Sequence, residues 1–169
     1  MQESRGTITI EHPLGVIEVP RDAVMHFTTP MLGFRHSEYA LLPAARKGLW
    51  WLIGTGEMPT TFVLADPFVA IADYAVDLND SEREELALRD EQDALALVLL
   101  VMPATPGDHV TGNFRAPLVF NLAERKVKQV VNRDERHGLS ERVDLSLYEL
   151  TSPADGESAD AASAEATGA

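Results

Sequence analysis

The chain has 169 residues, with 14 Lys+Arg against 27 Asp+Glu and a formal charge of −13. That balance argues against nucleic acid as the main ligand and equally against an anionic membrane surface, while a basic protein partner would be steered in by the acidic field. With no cysteine, disulfides, thiolate metal sites and Cys nucleophiles are excluded too.

Residues 1–6, Met1-Gln2-Glu3-Ser4-Arg5-Gly6, show no basic-then-apolar signal pattern. The longest apolar run, Ala94 to Met102, is nine residues, and a membrane span needs about 20. The expected location is the cytoplasm.

Residues 7–11 form a short β-branched strand, turned at His12-Pro13-Leu14-Gly15 and resumed over 16–19. Residues 39–42, 49–53 and 61–65 are apolar runs of strand length, each closed by Pro or Gly. Residues 69–78, read as a further strand, mix apolar side chains with Asp73 and Asp77. Ser81-Glu82-Arg83-Glu84 matches a capping box, which predicts a helix from Ser81 to about Asp90. Residues 95–102 are apolar on both faces and read as a central strand. Residues 118–121 and 126–131 flank a polar connection and read as a hairpin. Leu139, Val143, Leu147 and Leu150 at helical spacing predict a second short helix over 139–149. Trp50 and Trp51 must point to opposite faces of their strand, one of them into the core.

After Leu150 the composition changes. Residues 151–169 carry four acids, no base and no large apolar side chain, so the segment cannot offset the entropy of ordering. It is read as an acidic disordered tail, and 1–150 as one β domain. The tail acids account for −4 of the charge, leaving −9 on the body. Eight or nine short strands with one or two short helices predict a mainly β fold, a small antiparallel β-barrel or sandwich.

The five histidines (His12, His26, His36, His109, His137) never pair at i,i+2 or i,i+4, so no metal-ligand spacing stands out. There is no nucleophile elbow and no phosphate loop, and Gly54-Thr55-Gly56 reads as a turn. Asp66 and Asp73 flank an apolar segment and could in principle share acid–base work with a histidine. Nothing supplies an oxyanion donor or a metal to complete such a site. Asp66 before Pro67 fits a turn carboxylate accepting backbone N–H bonds. No cofactor is expected.

Several segments together resemble the flagellar assembly factor FliW family. Phe62-Val63-Leu64-Ala65-Asp66-Pro67-Phe68, followed by Asp73-Tyr74, is similar to the family's Asp-Pro-Phe and Asp-Tyr pattern. Thr111-Gly112-Asn113-Phe114-Arg115-Ala116-Pro117-Leu118-Val119-Phe120-Asn121 resembles its Thr-x-Asn-Leu-x-Ala-Pro-Ile-Val-Ile-Asn segment, the most specific match. Lys128-Gln129-Val130 and Arg136-His137 follow in order, so the likeness covers about residues 7–139. The run Phe27-Thr28-Thr29-Pro30-Met31-Leu32-Gly33-Phe34 departs from the family's Phe-Pro-x-Gly-Ile-Pro-Gly-Phe.

The resemblance implies a small antiparallel β-barrel and a regulator that is not an enzyme. It implies binding to the translational regulator CsrA, antagonism of its repression of flagellin mRNA, and binding to flagellin in a partner switch. The residues it offers as partner contacts are Asp66, Phe68, Asp73, Tyr74, Asn113, Arg115, Pro117, Asn121, Lys128 and Gln129. Each also has a plain structural role open to it. Asn113 is a polar residue of a strand or bulge, and Pro117 marks an edge, a strand start or a bulge. An unpaired edge beside Pro117 could accept a partner strand, or Pro117 could simply blunt it. Phe68 and Tyr74 are interface or core aromatics, and Lys128 and Gln129 are strand residues. Two other readings stay open: a flagellin-specific chaperone with an exposed apolar groove, or a small acidic enzyme using Asp66 and Asp73.

Overall fold

The computed structural model describes residues 6–12, 15–56 and 60–150. Pro13 and Leu14 of the expected first turn, and the expected acidic tail, lie outside the described residues. The strands are β1 (Thr7–His12), β2 (Gly15–Pro20), β3 (Val24–Phe27), β4 (Glu38–Pro43), β5 (Leu49–Gly54), β6 (Thr61–Ala65), β7 (Ala94–Val101), β8 (Thr111–Gly112), β9 (Leu118–Asn121), β10 (Lys126–Gln129) and β11 (Glu141–Arg142). Two short helices, α1 (Pro67–Ala70) and α2 (Asp80–Glu85), lie between β6 and β7.

Strands β3-β4-β5-β6-β7-β9-β10 close into a seven-stranded barrel, because β7 pairs with both β6 and β9, and β10 returns to β3. An odd ring cannot alternate direction all the way round. One neighbouring pair must run parallel, and here it is β3–β10, joined through Lys126↔His26 and Val127↔Phe27. The other six contacts of the ring are antiparallel. Strands β8 and β11 continue the sheet from the C-terminal half of β7.

Side chains two apart on each strand point inward. Tyr39 and Leu41, Leu52, Leu64, Leu97, Leu118 and Phe120, and Val127 fill the barrel, with Met31 also buried against them. A small barrel filled this way is a packed core.

The outer face is apolar as well, which is why 95–102 reads as continuous. The β1–β2 hairpin covers one part through Ile10 and Val19 against Ala40 and Ile53. A second layer of Tyr74, Phe114, Val143 and Tyr148 covers Ala65, Val98 and Leu100. The segment ending at Leu86 covers Val119 and Val130. Trp50 packs with the interior and Trp51 with the outer layers, as opposite faces require.

Three local expectations change. The cap lies two residues earlier: Asn79, rather than Ser81, is the N-cap and Glu82 its reciprocal partner, and the helix stops at Glu85 rather than Asp90. Two overlapping capping boxes exist in the sequence, and the earlier one brings Leu78 and Leu86 onto the same apolar cluster. The stretch 69–78 is not a strand, because Asp66 caps α1 and the chain then runs irregularly to Asn79. The expected helix over 139–149 is replaced by β11 and a 3-10 turn, Leu145–Leu147, capped by Asp144. Leu139, Leu147 and Leu150 are exposed, and only Val143 of that set is buried. Burial goes instead to Tyr148, whose hydroxyl donates to the Asp66 carbonyl at 2.7 Å. No helix among the described residues is long and apolar enough to cross a membrane.

Candidate functional site

The two resembling segments are far apart in sequence but meet in space. The Tyr74 hydroxyl donates to the Phe114 carbonyl at 2.7 Å, and their rings meet edge to face at 5.8 Å. Tyr74 also stands against Phe68 at 5.7 Å and against the His137 ring at 4.8 Å. Burial pushes the Tyr74 phenol pKa up. A third segment joins them. Asn132 donates from its side chain to the Ala75 carbonyl at 2.9 Å and from its backbone to the Arg115 carbonyl at 2.7 Å.

Above this buried floor lies an exposed charged rim. Arg136 bridges Asp134, at 2.6 Å, and Asp73, at 3.2 Å. The Arg136 hydrogen bonds hold the Asp134 carboxyl down to about 2, and those same acids raise the guanidinium pKa. Phe68 is about half exposed beside this rim. Arg115 is partly exposed, and its side chain has no ion-pair partner among the described residues.

The other expected contacts fall into two groups. Asn113 accepts from the Ala116 N–H at 3.0 Å, Gln129 donates to the Ala116 carbonyl at 3.2 Å, and Lys128 pairs with Glu85 at 2.9 Å. These three are partly exposed, and each already serves the fold. Tyr74, Pro117 and Asn121 are buried, so in this structure they support the surface from beneath. The Asn121 amide donates to the carbonyls of Leu86 and Ala87 at 2.8 and 3.2 Å, tying α2 to the β9–β10 turn. Pro117 immediately precedes β9, and β9 is flanked by β7 and β10, so no open edge lies beside it.

Asp66 and Asp73 are engaged by different partners. Asp66 accepts from the Phe68 N–H at 2.9 Å, whereas Asp73 is engaged by Arg136. Asp66 lines a groove of about 480 Å³ at one mouth of the barrel with Lys47, Trp50, Val69, Leu95 and Leu147, and that lining holds neither Asp73 nor a histidine. A second groove of about 230 Å³ has an apolar floor of Val76, Leu78, Leu88, Ala94, Ala96 and Val119, walled by Phe68. An Arg83–Glu91 ion pair at 2.9 Å sits on its rim. The described residues contain no group of three or more acidic or histidine side chains placed to hold a metal.

Sequence reasoning passed over Asn132 and Tyr148. A lone Asn before Arg-Asp-Glu signals only a turn, and a lone Tyr in a polar stretch signals nothing until its partners are placed.

The family model described as FliW protein matches residues 9–143. A flagellar assembly factor FliW of Leptospira biflexa serovar Patoc is 28% identical over 142 residues, spanning 83% of this chain and 93% of the relative. One from Syntrophus aciditrophicus is 33% identical over 124 residues, 72% of this chain and 78% of the relative. The crystal structure of a flagellar assembly factor FliW matches with a TM-score of 0.69 at 29% identity, covering 81% of this chain and 96% of that one.

Proposed function

The chain belongs to the FliW family, and on that premise we propose that it is a cytoplasmic flagellar assembly factor that works by docking other polypeptides. It binds the translational regulator CsrA and antagonises that regulator's repression of flagellin mRNA. It also binds flagellin, and free flagellin displaces the regulator. The family match over residues 9–143 carries this reading. Two features of the molecule support it. The barrel interior is filled by side chains, which leaves chemistry to the surface. The charge of −13 suits a partner whose own RNA-binding surface is basic.

The contact face we propose is the rim of Phe68, Asp73 and Arg115, held from behind by Tyr74, Pro117 and Asn121. Asp66, Asn113, Lys128 and Gln129 border it. Purified protein and regulator mixed at low micromolar concentration and low salt are expected to co-elute from a sizing column. Separate elution overturns the regulator-binding reading. Affinity for flagellin that barely changes between low and high salt favours an apolar groove, and with it the chaperone reading.

A further inference from the structure

The β1–β2 hairpin stands apart from the barrel sheet as its own two-stranded ribbon. Its register pairs Thr7↔Pro20, Thr9↔Glu18 and Glu11↔Val16, alternating with Ile8↔Val19, Ile10↔Ile17 and His12↔Gly15. One hydrogen bond fixes the phase of this ladder. Arg21 N–H donates to the Gly6 carbonyl at 3.0 Å, so Gly6↔Arg21 is a hydrogen-bonded pair. Antiparallel pairs alternate between bonded and non-bonded. Residues 8, 10 and 12 therefore face β2, and Pro20, which has no N–H to donate, falls on a non-bonded pair, as it should.

It follows that Thr7, Thr9 and Glu11 turn their N–H and C=O groups away from β2. Among the described residues no backbone bond reaches those groups. All three residues are exposed, while Ile8 and Ile10 pack toward the barrel. Exposed edges are ordinarily blunted by Pro, by charged side chains (Lys above all), by a bulge or by a cover; residues 7–11 contain no Pro and no Lys, and their single charge is Glu11. The outer edge of β2 is a poorer template, since its outward positions are Val16, Glu18 and Pro20, and Pro20 offers no donor.

We infer that the outer edge of β1 is a docking site for one extended, Lys/Arg-bearing segment of a partner polypeptide, which adds to the hairpin as a third strand. Charge selects the occupant. Glu11 and Glu18 are exposed on the hairpin and have no ion-pair partner among the described residues, so a basic side chain across from Glu11 gains a cross-strand pair. A second copy of this chain would bring the same acids and another −13 of charge, which disfavours self-pairing. The mode is strand addition: main-chain bonds supply affinity and alternate side chains supply selectivity. The inference rests on the docking reading above only for who owns the added strand.

The probe is a short capped peptide alternating Lys and Val, with a Glu/Val peptide as its opposite. Thr9→Pro is the decisive variant. It deletes an outward donor while sparing the β1–β2 ladder, and extended backbone accepts it. We expect the Lys/Val peptide to slow hydrogen exchange at the Thr7, Thr9 and Glu11 amides. Thr9→Pro and Glu11→Lys should each weaken binding about ten-fold, the worth of one strong contact, and the Glu/Val peptide should not bind. Exchange at those three amides unchanged by millimolar Lys/Val peptide overturns the inference. So does equal binding by a Thr9→Pro protein that melts like the wild type. If Thr9→Pro does not fold, wild-type exchange and Glu11→Lys decide. Undiminished co-elution of folded Thr9→Pro with the regulator would refute the edge as that partner's site, whereas failure of the wild type to co-elute would refute the docking reading instead.

Discussion

The hydroxyl of Tyr74 and the carbonyl of Phe114 are joined by a 2.7 Å hydrogen bond inside a buried aromatic cluster. That bond couples the segment after β6 to the one before β9, so the exposed rim rests on a single floor. Tyr74→Phe keeps the ring contacts and strands a buried carbonyl, a loss of about 1–3 kcal/mol. Tyr74→Ala also empties the ring's volume, at about 3–5 kcal/mol. Urea titration with tyrosine and tryptophan fluorescence reads both. A Tyr74→Phe protein as stable as the wild type would show that the bond contributes nothing.

Asn121 is the second structural polar residue at the site. Asn121→Ala removes a donor shared by the Leu86 and Ala87 carbonyls and an acceptor for the Glu124 N–H. A loss of about 2–3 kcal/mol is expected from the groups left buried and unpaired. Regulator binding by the fraction that remains folded should be unchanged, because the side chain is 2% exposed. Weakened binding without destabilisation would put Asn121 back on the contact face.

Ala87 carries a φ of 53° just past the end of α2. A left-handed backbone costs an alanine about 1–2 kcal/mol, and glycine adopts it freely. Ala87→Gly should therefore raise stability by about 0.5–1 kcal/mol after the extra chain entropy of glycine. Thermal melting is a direct check: a lower Tm would mean that the alanine methyl contributes more by packing than the backbone strain takes away.

Asp134 gives the pH signature. Arg136 holds its carboxyl at about 2, below the ordinary 3.8. The folded state thus binds fewer protons than the unfolded state between these values. The contribution is complete above about pH 4 and disappears as pH falls toward 2. The group is partly exposed, so the effect should be modest and weaken with salt. Arg136→Met should flatten the acid limb of the stability curve between pH 4 and 2 and leave pH 7 behaviour largely intact. An unchanged acid limb would assign it to other carboxylates.

The mainly β fold, barrel or sandwich, was legible because its strands are short apolar runs closed by Pro or Gly, as 39–42 and 49–53 illustrate. The β9–β10 hairpin was equally plain from its short polar connection. What was illegible was long-range or one-sided. Strand β3 has only four residues, and its partners are β4 and the distant β10. Its pattern is too short to separate from a loop. Leu139, Val143, Leu147 and Leu150 lie at helical spacing by coincidence, because Glu141 and Arg142 are claimed by the edge of β8. At the candidate site, the fold packs the Asp-Pro-Phe and Asp-Tyr segments against Phe114. Only the fold could sort buried Tyr74, Pro117 and Asn121 from exposed Phe68 and Asp73, because sequence carries type and order but not depth.

The parallel seam also governs when the molecule can exist. Strand β3 is made early and waits for β10, and the two meet through only two residue pairs. Ring closure therefore depends on residues 126–129: without them β3 and β9 would each keep an unpaired edge.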